Sequence, residues 1–154
     1  MFWVAVAAFV WLFILLFLRP VLIKYWSAGF WGILGGYFLN DFFIKNEFYS
    51  FNNTLYPIQG IPAAYFVLLA GLGVVIISFL PQDKIWQLPY LLFLDAIFSG
   101  LELFIAKQGF LTYFQWTLYH SFLFKLFFLI TLVWLSSLTV KHRKNSYYFD
   151  RNAF

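Results

Sequence analysis

The 154-residue chain has no cysteine and few charges. Without cysteine there are no disulfides, no thiol nucleophile, no iron–sulfur cluster and no cysteine-ligated zinc. Charged residues are only 10% of the chain and hydrophobic ones 64%. A soluble domain carries roughly 25% and 45–50%. Mean hydropathy is +0.83, more apolar surface than a soluble chain of this size can hide. H-E-x-x-H, G-x-S-x-G and Gly-rich phosphate loops are missing, so no catalytic residue, cofactor or metal is assigned. The net charge of +4 comes from cations beside apolar runs. It therefore speaks for membrane topology and contact with membrane lipids rather than for nucleic acid.

What is present is a series of apolar stretches. The expected fold is all-α: a polytopic membrane helix bundle with five transmembrane helices. The spans are placed at about residues 2–18, 25–44, 58–80, 85–106 and 112–140, followed by a basic tail at 141–154. No basic n-region precedes the first stretch, so it reads as a retained span rather than a signal peptide. Arg19 and Pro20 end it, and Lys24 follows in the same expected loop. A four-helix arrangement, with the second and third stretches making one span, is the alternative.

Five spans with the N-terminus outside place Arg19, Lys24, Lys84, Lys141, Arg143, Lys144 and Arg151 inside. Only Lys45 and Lys107 then lie outside. That bias follows the positive-inside rule, with the C-terminus inside. Residues 1–140 form one bundle, with no repeat and no second domain.

Two small-residue surfaces are expected to pack helices closely. Gly29, Gly32 and Gly36 recur on one face of the second stretch, and Gly71 and Gly73, with Ala70, mark the third. A ligand groove is the other reading of the first stripe. Pro62 is placed in a helical first turn. Asn52-Asn53-Thr54 fits a glycosylation triplet but reads more simply as a solvated loop. Asp41 and Asp150 are also expected to be solvated.

The central stretch is 88–125, where ionisable residues stand in an apolar context. Asp95, Ser99 and Glu102 share one helical face, and so do Thr117, Ser121 and Lys125. Each buried charge costs about 2.5–3.5 kcal/mol on insertion scales. Such residues turn inward, find partners, and are functional candidates by default. Folding a helical hairpin about Phe110 sets Asp95 level with Lys125, predicting an ion pair there. Glu102 then falls near Gln115, Thr117 and His120. The network is either a structural tie between helices or a proton- or cation-handling site, with His120 as a relay or simply an aromatic-belt neighbour of Trp116 and Tyr119.

The run Phe79-Leu80-Pro81-Gln82-Asp83-Lys84-Ile85-Trp86, then Glu102, then Tyr113, Trp116, Tyr119, Ser121 and Phe122, resembles a family of small multi-pass membrane proteins of spore-forming Gram-positive bacteria. The resemblance implies a multi-pass protein of the bacterial inner (cell) membrane and assigns no activity. Glu102, Tyr113, Trp116, Tyr119 and Ser121 are its matching positions; Asp95 and Lys125 are not among them. The expected function is association, with a membrane-protein partner or as a homo-oligomer; the alternatives are a small transporter or proton- or ion-coupled element, and then a lipid- or isoprenoid-handling enzyme.

Overall fold

A computed structural model describes residues 1–52 and 55–147. The fold is mostly helical. α1 (Phe2–Phe17) is followed after one residue by α2 (Arg19–Lys45). Next come β1 (Tyr49–Phe51), β2 (Pro57–Ile58), β3 (Ile61–Pro62) and α3 (Ala63–Ser78). α4 (Lys84–Lys107), β4 (Leu111–Tyr113) and α5 (Leu118–Tyr147) complete the described residues. Two of these, α4 and the Leu118–Thr139 part of α5, are long and apolar enough to cross a membrane. α1 and α3 are apolar but shorter, about 24 Å each at the helical rise.

Several boundaries differ from expectation. Arg19, Pro20 and Lys24 are not in a loop: only Leu18 breaks the helix, and Pro20 sits in the first turn of α2. A proline there forfeits an N–H that has no helical partner anyway. α2 then kinks at Tyr25, whose backbone leaves helical geometry (φ −114°, ψ 18°), and Lys24 reaches back over the Tyr25 ring. The third segment starts later than residue 58, because Pro57–Ile58 and Ile61–Pro62 pair as a small hairpin. Pro62 is thus the residue before α3, not part of its first turn. α5 begins at Leu118 and runs through Tyr147, so the helix continues into the expected tail. The second and third segments are separate, closely packed helices.

That packing rests on the glycines. A Cβ on Gly32 would stand 2.7 Å from the Leu69 carbonyl oxygen, and one on Gly73 would stand 2.4 Å from that of Ala28. Both obstacles are backbone, which cannot swing aside. Gly29 faces Ala70 and Gly36 faces the Leu69 side chain. Gly71 points the other way, against Val10, Trp11 and Ile14 of α1. α3 is therefore gripped by α2 on one side and α1 on the other, and Trp11 Nε1 donates to the Val67 carbonyl at 2.8 Å.

The helices alternate in direction. At one end Phe2 stacks on Phe110 and Trp3 meets Phe51 edge-on. There too β1 pairs antiparallel with β4, Ser50 opposite Thr112. The N-terminus and the α2–α3 and α4–α5 connections thus gather together. At the other end Ile14 and Leu18 pack with Val74, beside the α1–α2 turn. A further core of Ile76, Leu91, Leu129 and Leu132 joins α3, α4 and α5, with Trp31 of α2 against it.

Candidate functional site in the α4–α5 hairpin

Three turns of α4 present Asp95, Ser99 and Glu102 toward α5, as 3.6-residue periodicity requires. α4 stops at a glycine. Gly109 has φ +77°, its N–H bonds to the Ala106 carbonyl, and the N–H of Phe110 reaches Ile105. This is a Schellman closure, for which glycine is favoured. The chain then runs extended through β4 before α5 begins.

Lys125 of α5 is the hub. Its Nζ lies 2.5 Å from Glu102 Oε2 and 2.8 Å from Ser99 Oγ. Ser121, one turn earlier, donates to Glu102 Oε1 at 2.5 Å. The Tyr113 hydroxyl, delivered by β4, donates to the same oxygen. Glu102 is thus held by an ammonium and two hydroxyls, and the cluster spans α4, β4 and α5. Burial, then the Glu102 carboxylate it bonds, pushes the Tyr113 phenol well above its usual range.

The expected Asp95–Lys125 ion pair is present, though long. Lys125 Nζ stands 3.9 Å from Asp95 Oδ1, too far for a hydrogen bond, and the carboxylate it hydrogen-bonds is Glu102. The reason is the bend. The depth match assumed helix on both arms, but residues 111–113 are strand and the helix waits until 118. Extended chain carries those residues sideways into the sheet, so α5 enters about one turn late. Glu102 then meets Ser121 and Lys125 instead of Gln115. Asp95 is left fully buried, and neither of its oxygens has a hydrogen-bond partner.

Thr117 and His120 stand apart from this cluster. Thr117 precedes α5 rather than sharing its face, and its carbonyl accepts the N–H of Ser121. Its hydroxyl bonds His120 Nδ1 at 2.7 Å, and both residues are exposed. His120 packs on the Trp116 ring, and Trp116 is buried among Phe43, Phe48 and Phe124. His120 thus bonds Thr117 and makes no direct hydrogen bond to Glu102.

Other polar contacts were not anticipated. Buried Asn40 donates to the Gly36 carbonyl at 2.6 Å and accepts the Tyr49 hydroxyl. Asp41 is paired with Lys45 at 2.7 Å rather than simply solvated. Asn52 spends its amide across the sheet on Gly109 and Thr112; Asn53 and Thr54, the rest of the glycosylation triplet, lie outside the described residues, as does Asp150. An open groove of about 430 Å³ lies by the sheet, lined in part by Glu47, Tyr49 and Gln115, away from the charged cluster. Among the described residues no three His, Asp or Glu converge on a metal position.

The arrangement can do two things chemically. It can hold α4 to α5 through a lysine–glutamate bridge. It can also share one ammonium between two carboxyl groups, of which only one is solvated by donors. Comparison with known proteins gives no further guide: no protein-family model, no curated protein and no solved structure matches the chain.

Proposed function

We propose that the chain is a five-span membrane protein, N-terminus outside and C-terminus inside, that works as a small proton- or ion-coupled element. The alternating helices, the apolar α4 and α5 and the inward bias of cations support the membrane reading. The family resemblance adds a bacterial inner membrane. The 16-residue α1 and α3 are short for a hydrocarbon core of about 30 Å, a mismatch that local thinning and flanking residues can absorb.

The observation that carries the functional reading is Asp95. A tie between α4 and α5 needs only Lys125 and Glu102. A second carboxyl group, fully buried, without a hydrogen bond and paired to the same ammonium only at 3.9 Å, costs more to bury than so long a contact returns, so it calls for a role beyond docking. Reconstituted into liposomes, the protein is expected to pass protons or ions, or to change its behaviour with pH. Glu102→Gln should abolish that response in protein that still folds and assembles, even if less stable. Unchanged response with lost assembly would speak for the second reading, association. That reading draws on the outward face of α4, where Phe93, Ile97, Leu101 and Phe104 are exposed and suit a membrane-embedded partner or a second copy.

A further inference from the structure

Asp95 and Glu102 compete for one cation. An ammonium has three donors, and Lys125 uses two of them, on Ser99 Oγ and Glu102 Oε2. Asp95 Oδ1 lies 3.9 Å from the same nitrogen, close enough that a small shift of the lysine head would bring it into bonding range. The groups acting on Asp95 are Lys125 from α5 and Glu102 from its own helix; Tyr113 of β4 reaches it only through Glu102. Around them lie the apolar residues of the α3–α4–α5 core, Leu91 a turn away on α4 among them. With one lysine and two acids, the triad is neutral only when one acid holds a proton. The acid without hydrogen-bond donors is the one whose ionised form gains least from its surroundings.

We infer that Asp95 is a proton-binding site, and that Lys125 exchanges between Glu102 and Asp95 as the proton passes between the two acids. In the geometry observed, Asp95 holds the proton and Glu102 is the anion, receiving Lys125, Ser121 and Tyr113. In the alternate state the O–H bond at Asp95 is broken and one at Glu102 is formed. Lys125 keeps its three protons and swings onto Asp95, so the triad stays neutral throughout. Glu102 faces β4 through the Tyr113 hydroxyl that donates to it, at the end where the N-terminus and the sheet lie. A metal cation fits this site poorly, because the Lys125 ammonium already occupies the position between the acids.

This inference deepens the proton-coupled reading and rests on it for the membrane setting, yet the two fail separately. The test is infrared spectroscopy of the full chain in lipid bilayers at neutral pH, following the carbonyl stretch of a protonated carboxyl group. One such band is expected, shifting when the protein is labelled with ¹³C-aspartate and lost in Asp95→Asn. It should also vanish in Glu102→Gln, where Lys125 has only Asp95 to neutralise. Absence of the band in wild-type protein, or a band that moves with glutamate label instead, overturns the site. The labelled wild-type measurement decides the matter even where the variants fail to fold. A band without any proton response in liposomes removes the coupling and keeps the site; a response without the band does the reverse.

Discussion

Lys125 is the side chain on which the hairpin depends most. It neutralises Glu102 at 2.5 Å and donates to Ser99. Truncating one partner of a buried pair leaves the other charge uncompensated, at a cost of about 3–5 kcal/mol. The bridge here is partly exposed, with 25% and 17% of the two side chains accessible, so Lys125→Met is expected to cost somewhat less, about 2–4 kcal/mol. The measurement is unfolding in mild detergent by mixed-micelle titration. Lys125→Met combined with Glu102→Gln should recover part of the loss, since no unpaired charge then remains at that pair. A double variant as unstable as the single one would contradict the bridge.

At the scale of elements, two glycines hold α2 against α3 by backbone-to-backbone contact. Gly73→Val should disrupt that interface by about 1–3 kcal/mol or more, as overpacking against a carbonyl does. Gly100 has open space around its Cβ position, so Gly100→Ala should be neutral or stabilising by up to about 1 kcal/mol through helix propensity. Thermal unfolding in detergent would rank the two. The β1–β4 sheet has its own pH signature. Burial raises the Tyr49 phenol well above its usual range, and burial with the Glu102 hydrogen bond does the same for Tyr113. The unfolded chain loses these protons near pH 10, while the folded chain keeps them. Their contribution is therefore full below about pH 10 and fades as the pH rises beyond it. Stability of the β1–β4 sheet should fall above that point, and Tyr113→Phe should blunt the fall, as followed by tyrosine absorbance against circular dichroism.

These elements also separate what the residue pattern discloses from what it conceals. The apolar runs and the facing of Asp95, Ser99 and Glu102 follow from 3.6-residue periodicity, and the glycine stripe of α2 follows from small-residue spacing. The hydrogen bond of Lys125 to Glu102 does not follow from either. It depends on Leu111–Tyr113 leaving the helix to pair with Tyr49–Phe51, a contact between strands of three residues with sixty residues between them. Segments that short show no alternation long enough to tell strand from an interfacial helix start. The only hint is their content of aromatic and β-branched residues. Likewise the one-residue break at Leu18 was hidden by an Arg-Pro pair that ends one helix and opens the next.

At the scale of the whole molecule, the proposed bundle crosses a bilayer and holds its charged triad between α4 and α5, with Asp95 fully buried and Lys125 and Glu102 mostly so. The absence of native cysteine makes single-cysteine labelling clean. Ser50→Cys and Gln115→Cys lie at the sheet end, Gln82→Cys at the α3–α4 turn, and Ser99→Cys and Ser121→Cys are buried in the hairpin. In sealed vesicles of one orientation, a membrane-impermeant maleimide added outside should label positions 50 and 115. Position 82 should react only after the membrane is opened, and positions 99 and 121 only after the protein is unfolded. Labelling of 50 and 82 from the same side, or free reaction at 99 and 121 in the folded protein, would contradict it.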